Sequence, residues 1–228
     1  MKRSTFILAL AASLRADSLN DVLLRMDQAA QKFRSLSAKV RKTDYSDVLS
    51  DSTVEEGSFK MMKAGKDKVV LLADFTGQDA HTVQIAGNQV KIYHPKAKSV
   101  EIYDMRKFTK AANEYLFVGF GNTSAELQKT YTVTLGGAET VDGVKTTRLD
   151  LAPKSAEAKK LFNLIQLWIP EGQSNPMQEK ILSGKEGKEY KLFQFSNAKI
   201  RTVSEPALPA SEFELKLPAD VKEIIAGK

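Results

Sequence analysis

Apolar residues recur at three- and four-residue spacing near the start of the chain, which is the period of a helix with one buried face. The series comprises Leu19, Val22, Leu23, Met26, Ala30, Phe33 and Leu36. Ser18 followed by Asp21 resembles a capping box, so we expect the helix to begin there and to run for about five turns. We interpret it as a helix that packs over a sheet through this apolar stripe.

From Ser37 onward apolar and polar residues alternate, which is the period of a β-strand. The pattern predicts a first strand from Ala38, a strand over 131–135 that ends in a turn at 136–137, and a last strand over 213–217. Short turn sequences separate the strands, among them Gly87-Asn88, Pro95-Lys96 and Asp142-Gly143. Neighbouring strands should pair, so we expect an antiparallel meander of about ten to eleven strands.

The alternation stops between Asp104 and Lys129. The residues there predict one short helix over 105–116 and another over 124–129, with an apolar, glycine-containing stretch over 116–121 between them. Helices inserted into a meander must cover something, either one end of the sheet or a binding surface. A further short helix is expected over 155–162.

Some strands are apolar on both faces, most clearly 69–75 and 164–169. A sheet packed on one side alternates more cleanly, so a second covering layer or a hollow is indicated. Unbranched methionines suit a pocket for ligands of varied shape, although each of these residues also suits ordinary core packing. The predicted cavity wall comprises Met26, Phe33, Val40, Met61, Val90, Ile92, Val100, Ile102, Leu149, Leu151, Ile165, Leu167 and Ile169.

The first residues have the form of a secretory leader. A positively charged start (1–3) precedes an apolar run (5–14) that is too short to span a bilayer. We expect cleavage after Ala16, which gives a signal peptide over 1–16 and a single domain over 17–228. The alternatives are a cut near Ala11 or Ala12 and a retained anchor helix. With no cysteine to accept a lipid, we expect a soluble periplasmic protein that is not lipid-anchored.

Charge and chemistry exclude several functions. The chain has 34 basic and 28 acidic residues, and three of the basic ones lie in the leader, so 31 remain against 28. This balance does not indicate nucleic-acid binding. There is no cysteine, His81 and His94 fall on different predicted strands, and no HExxH, GxSxG or phosphate-binding glycine motif is present. We therefore expect no enzyme activity, no metal site and no cofactor, and we expect a monomer.

Several short segments together resemble the LolA-type outer-membrane lipoprotein carriers, over nearly the whole mature length. Each is weak alone, but their order and spacing are moderately specific. The segments are Leu23 and Met26, Phe33 with Ser37-Ala38, Gly57-Ser58-Phe59, Ile92-Tyr93-His94-Pro95, 115–120, 149–154 and 213–221.

The resemblance implies a mostly β fold with some α (α+β), in which a strongly curved antiparallel sheet forms an unclosed half-barrel. It also implies an N-terminal helix and short lid helices on the concave side. The implied lid residues are Tyr115, Leu116, Phe117, Val118 and Phe120. In the family a basic residue followed by proline on the second strand contacts the lid. The matching positions hold Lys63 and Ala64, so Lys63 is the candidate latch, and it lacks the planar fork of the family's arginine.

The resemblance further implies a carrier that takes lipoproteins from an inner-membrane ABC-type lipoprotein-releasing complex and passes them to an outer-membrane acceptor, with the acyl chains shielded in the cavity. Two alternatives stay open at this point. The cargo is a free lipid or glycolipid, or the protein is an envelope regulator that senses lipid or lipoprotein and moves no cargo.

Overall fold

The computed structural model describes residues 17–65, 69–106 and 118–226. Within these ranges the α-helices are α1 (Leu19–Lys32), α2 (Ser124–Thr130) and α3 (Ala156–Lys159). The strands found in these residues are β1 (Phe33–Ser46), β2 (Asp51–Lys63), β3 (Val69–Thr76), β4 (His81–Ala86), β5 (Gln89–His94), β6 (Ser99–Asp104), β7 (Tyr131–Val141), β8 (Val144–Pro153), β9 (Leu164–Pro170), β10 (Gln178–Ser183), β11 (Glu189–Thr202) and β12 (Lys222–Ala226).

Helix α1 begins where the capping box predicts. The Ser18 hydroxyl accepts a hydrogen bond from the Asp21 amide, and the Asp21 carboxylate accepts one from the Ser18 amide. The helix ends at Lys32 and not near Leu36, so the predicted length is wrong. Phe33 is already extended and pairs with Thr202, so its backbone joins the ladder with β11 in place of a further helical turn.

All the strands belong to one sheet, in the order β12-β6-β5-β4-β3-β2-β1-β11-β10-β9-β8-β7. Neighbours pair antiparallel except β12, which runs parallel to β6 at one edge. The sheet is curved and does not close into a barrel. The expectation of a mostly β, unclosed half-barrel with a leading helix is therefore confirmed, with one or two strands more than predicted.

Three predicted strand boundaries are wrong. The first strand begins at Phe33 and not at Ala38. The strand that begins at Tyr131 does not stop at a 136–137 turn but continues to Val141, because a bulge between Leu135 and Gly137 absorbs the extra residue. The segment 213–217 is not a strand. Phe213 closes a 3₁₀ turn (Ala210–Phe213), and the last strand forms only at Lys222–Ala226.

The short helices partly follow the prediction. Those expected over 124–129 and 155–162 correspond to α2 and α3, although α3 stops at Lys159. Each contributes one buried side chain, Leu127 and Ala158, to the same core cluster as α1. The helix expected over 105–116 falls almost entirely outside the described residues.

The sheet has two faces with different coverings. We call the face that α1 packs against the inner face, and the opposite one the outer face. After β11 the chain crosses the outer face: the Leu208 amide donates to Ser35 Oγ at 3.0 Å, and Gln84 Nε2 donates to the Phe213 carbonyl at 2.7 Å. This crossing segment is what carries the chain from β11 to β12 at the far edge.

Candidate binding site on the inner face of the sheet

Strand register aligns apolar residues into rows across the inner face. Leu36 of β1 is opposite Met61 of β2, which is opposite Leu71, then Ile85, then Val90 of β5. A parallel row runs through Ala38, Phe59, Ala73, Val83 and Ile92. Since side chains alternate between faces along each strand, these residues point to one side. The rows form a continuous apolar surface over five strands.

The other half of the sheet extends the same face. Leu149 of β8 is opposite Leu167 of β9, which is opposite Glu179 of β10, then Phe193 of β11, then Lys42 of β1. Thus the row is apolar at its β8 end and charged at its β1 end, with one carboxyl group in between.

Helix α1 covers the β8–β10 half. Its buried residues Val22, Leu23 and Met26 lie in one core cluster with Leu149 and Leu167 of the sheet. The Arg25 guanidinium donates to the Gln173 carbonyl at 3.0 Å and pairs with Asp17, which ties the helix to the turn after β9. The helix is thus held over the sheet by apolar packing and by polar contacts at its edge.

Residues 118–121 cover the middle of the face, and we call them the cover segment. Phe120 packs edge-on against Phe195, with ring centroids 5.0 Å apart, and lies 6.3 Å from the Phe59 ring. Val118 belongs to the α1 cluster, so the segment bridges both halves. Gly119 has φ +97°, and a Cβ there would lie 3.0 Å from Leu167 Cδ1 and from Pro176, so only glycine allows this close approach.

Helix α2, which follows the cover segment, is linked to α1 by one carboxylate. Asp27 of α1 accepts hydrogen bonds from the Ser124 amide and the Ser124 hydroxyl, both at 2.6 Å. Ser124 opens α2, which follows the cover segment directly. Charge-assisted bonds of this length are among the stronger ones in proteins, so α1 should move together with the start of α2, three residues after the cover segment.

Two clusters of buried residues share the inner face and meet at Phe193. One is built around α1, β8 and β9, the other around β1–β3 with Phe120. Phe193 is only partly buried and packs against both. The wall side chains are therefore in contact with the protein's own covering elements, and Phe193 marks the seam between the two halves.

Most predicted wall residues lie in these clusters or in the rows beside them. Ten of them are on the inner-face strands or contact them: Phe33, Val40, Met61, Val90, Ile92, Leu149, Leu151, Ile165, Leu167 and Ile169. Met26 reaches the face from α1.

Val100 and Ile102 lie on the outer face. Ile102 is opposite Lys91, which is opposite Gln84, and Val100 is opposite Tyr93. Gln84 bonds to the crossing segment, so this parity belongs to the outer side. The prediction that these two residues line the inner-face wall is therefore wrong. A β-strand shifted by one position exchanges its faces, and sequence alone does not reveal which parity is inner in an edge strand.

Of the predicted lid residues, Val118 and Phe120 lie in the cover segment and are buried. Tyr115, Leu116 and Phe117 fall outside the described residues. Lys63, the candidate latch, has its Cε 3.1 Å from where a Cβ on Gly121 would stand, so its alkyl chain lies against the cover segment. Whether Lys63 acts as a latch stays a prediction.

Sequence reasoning missed Phe193, Phe195 and Glu179. Alternation along β11 could have found the two phenylalanines, since both share the parity of the inner face. Glu179 is 2% exposed and its Oε1 has no hydrogen-bond partner among the described residues. Burial raises the pKa of this carboxyl to about 8. Its position two residues before Ile181 was the available signal, because residues two apart in a strand point to the same face and Ile181 points inward.

A charged group of residues occupies the β1–β2 end of the inner face. Lys42 Nζ lies 2.7 Å from Asp44 and 2.8 Å from Glu55. Burial alone would lower the pKa of Lys42, but hydrogen bonds to Asp44 and Glu55 outweigh it and raise the pKa. Burial likewise opposes ionisation of Asp44, yet bonds from Lys42 and Lys191 lower its pKa. These groups stay charged, so this end of the face is polar.

The two histidines come together at this same end. Their ring centroids are 6.1 Å apart, and His81 stacks on Phe75. Even so, within the described ranges no three His, Cys, Asp or Glu residues are placed to hold a metal ion. Nor does any helix there have the length and apolar character needed to cross a membrane.

Comparisons with known proteins concern the fold. No family model and no curated protein sequence matches the chain. A solved structure of an uncharacterised conserved protein from Thermus thermophilus is 12% identical with a TM-score of 0.53, and the match covers 92% of this chain and 99% of that one. MucB is 14% identical with a TM-score of 0.51. That match covers 86% of this chain but spans only 62% of MucB.

A LolA superfamily protein from Nitrosomonas europaea also aligns, at 12% identity and a TM-score of 0.40, over 88% of this chain and 99% of that one. At such identities a likeness shows the fold alone. The curved, unclosed antiparallel sheet with a leading helix is the fold class that the resemblance in the sequence implied, and that expectation of the fold is confirmed.

Proposed function

We propose that this protein is a periplasmic carrier that shields acyl chains on the inner face of its sheet, and that it moves acylated cargo without chemistry of its own. One observation carries the proposal. A continuous apolar face is covered by α1 and the cover segment, neither of which is a strand of the sheet. The two covered halves of the face meet at the partly exposed Phe193.

The energetics of acyl chains favour such an arrangement. Removing one methylene from water is worth about 0.8 kcal/mol, so a long acyl chain gains on the order of 10 kcal/mol or more. A carrier must also release its cargo. When the covering elements occupy the face in the empty state, displacing them offsets part of that gain and keeps the affinity low enough for transfer.

The finer proposal is that the cargo is a lipoprotein, taken from an inner-membrane ABC-type releasing complex and delivered to an outer-membrane acceptor. It is supported by the sequence segments shared with LolA-type carriers. The replacement of the family's arginine by Lys63 leaves room for a different cargo of the same chemistry, a free lipid or glycolipid. A monomer without cofactor suffices for either.

Analysis of the natively purified protein distinguishes these cargoes. The full chain, expressed with its own leader in a bacterial envelope, is purified without detergent, and bound molecules are identified by mass spectrometry. Acylated polypeptides support the lipoprotein carrier, and lipid alone supports the free-lipid carrier. A protein that retains neither, and that instead stays bound to one membrane protein, would favour the regulator and contradict transport.

A matched pair of variants tests whether the inner face is the binding surface. Phe193 and Leu192 are neighbours in β11 that point to opposite faces. Phe193→Glu places a charge beside the acyl chain and should weaken binding of a fluorescent acyl probe by roughly tenfold or more, since burying a charge is costly. Leu192→Glu should leave binding within about twofold of the wild type, because it changes the outer face only. Equal losses of probe binding in both variants would contradict the assignment of the inner face as the binding surface.

A further inference from the structure

The carboxyl side chain of Glu179 interrupts the apolar part of the inner face. Glu179 stands in β10 between Leu167 of β9 and Phe193 of β11, and Ile181 is the next residue of the same parity. These three neighbours all belong to, or pack against, the α1 cluster. The carboxyl group thus has apolar neighbours on both adjacent strands and along its own.

The covering layer reaches the same place. Gly119 lies against Leu167 and Pro176. Leu167 is the cross-strand neighbour of Glu179, and Pro176 precedes Glu179 by three positions. Glu179 therefore lies near the boundary between the sheet and the cover segment. An acyl chain that displaced the cover segment from Leu167 would pass directly beside this carboxyl group.

Charged groups on the elements that flank Glu179 are already paired with others. Lys42 is two strands away in the same row, about 10 Å at the usual strand spacing, and is held by Asp44 and Glu55. Lys191, opposite Ile181, bonds to Asp44. On α1, Arg25 pairs with Asp17, and Asp27 bonds to Ser124. None of these pairs includes Glu179.

A buried carboxyl group with an unpartnered oxygen costs free energy that a folded protein normally avoids. With a pKa of about 8 it is protonated at neutral pH, so it presents one O–H donor and a carbonyl acceptor inside an apolar site. A ligand that accepts a hydrogen bond at this point would remove the cost. The partner best matched to a neutral O–H donor is a carbonyl oxygen.

We infer that Glu179 is the polar contact for the cargo, and that its protonated carboxyl donates a hydrogen bond to the carbonyl oxygen of an acyl ester or amide. This inference rests on the proposed carrier function and adds its ligand chemistry. Diacyl lipids and lipoproteins both contain such carbonyls where the acyl chain joins the head group. Glu179 would thus distinguish an acylated molecule from a plain hydrocarbon.

The test compares two ligands of equal chain length, a fatty-acid methyl ester and the corresponding alkane, by displacement of a fluorescent apolar dye from the full mature chain. The variants are Glu179→Met, which keeps the size and removes the donor, and Glu179→Gln, which stays neutral and keeps a donor. Glu171→Met, at the exposed turn after β9, is the control. Thermal unfolding of each variant verifies that it is folded.

Glu179→Met should bind the ester about fivefold more weakly than the wild type, the usual value of one hydrogen bond, and bind the alkane at least as tightly. Glu179→Gln should bind the ester within about twofold of the wild type. Ester binding by the wild type should fall as the pH rises from 7 to 9, because the ionised carboxylate has no proton to donate. Glu179→Gln should show no such fall.

The same variants tested with a triacylated lipopeptide and with a diacyl phospholipid distinguish the two sources of the carbonyl, and a Glu179→Met loss on either one supports the inference. Unchanged ester binding by Glu179→Met, with alkane binding intact, overturns it while leaving the carrier function standing. So does wild-type ester binding that stays constant or tightens between pH 7 and pH 9. A wild type that binds neither ester nor alkane overturns both proposals.

Discussion

Burial of the Glu179 carboxyl has a consequence for stability as well as for binding. Its pKa is about 8 in the folded chain and near 4.5 when exposed. Between those values the unfolded chain releases a proton that the folded chain keeps. The free energy of unfolding must therefore fall as the pH rises through this window, by up to about 1.4 kcal/mol per pH unit from this group.

Glu179→Gln should remove that dependence, because an amide does not titrate. We expect urea unfolding to show a smaller stability difference between pH 5 and pH 8 in Glu179→Gln than in the wild type, and higher stability of the variant at pH 8. Glu171→Gln, at an exposed site, serves as the control and should retain the wild-type slope. A Glu179→Gln protein as pH-sensitive as the wild type would show that the carboxyl is not buried as described.

At the scale of single residues, the sequence predicts that apolar residues are buried better than it predicts which residues surround a given side chain. Alternation identified Ile165, Leu167 and Ile169 as a buried set, and they are buried together. It did not identify Glu179 as inward, because a lone acidic residue between apolar ones is normally assigned to solvent. The pairing of β10 with both β9 and β11 determines its position, and that pairing is a long-range property.

Among the elements, α1 and the cover segment matter most for the proposed function. Ser124, three residues after the cover segment, donates two hydrogen bonds to Asp27 of α1. If the cover has to leave the sheet to admit an acyl chain, this junction should control how easily it does so.

Asp27→Ala removes both bonds and should lower the free energy of unfolding by about 1.5–3 kcal/mol, as for hydrogen bonds to a charged group. It should also increase the rate at which an acyl probe enters, because the cover is held less firmly. Stopped-flow fluorescence measures the rate and thermal unfolding the stability. Ser124→Ala, which keeps the amide bond and loses the hydroxyl bond, should have a smaller effect in the same direction.

Asp47→Ala, in the exposed turn between β1 and β2, is the control and should change neither quantity. An Asp27→Ala protein that is less stable but takes up the probe at the wild-type rate would show that the junction has no part in opening.

Element boundaries were predictable where a local signal sets them. Ser18 and Asp21 fix the start of α1 through their own side chains. The end of α1 depends on β11, to which Phe33 pairs across a long stretch of sequence, and the pattern of apolar residues continues through Leu36 without a break. The segment 213–217 was misassigned for a similar reason. Its apolar and polar residues alternate as in a strand, but Phe213 is buried because the segment packs on the outer face, where Gln84 bonds to its carbonyl.

For the whole molecule, strand periodicity and short turns were enough to predict a large antiparallel sheet, and the LolA-like motifs predicted that it stays open. Which face is inner could not be predicted, because apolar residues occur on both sides: Val100 and Ile102 are buried on the outer face, whereas Val90 and Ile92 face inward. The proposed binding of acyl chains depends on which face of the sheet is the inner one.

Methionine methyl groups allow a direct test, because Met61 and Met62 are adjacent and point to opposite faces of β2, and Met26 reaches the inner face from α1. The measurement is the set of NMR nuclear Overhauser contacts between ¹³C-labelled methionine methyls of the full mature chain and the acyl methylenes of a bound triacylated lipopeptide. Contacts to Met26 and Met61 without contacts to Met62 are the predicted result. Contacts to Met62 alone, or to no methionine while the ligand is bound, would contradict the placement of acyl chains between the sheet and its cover.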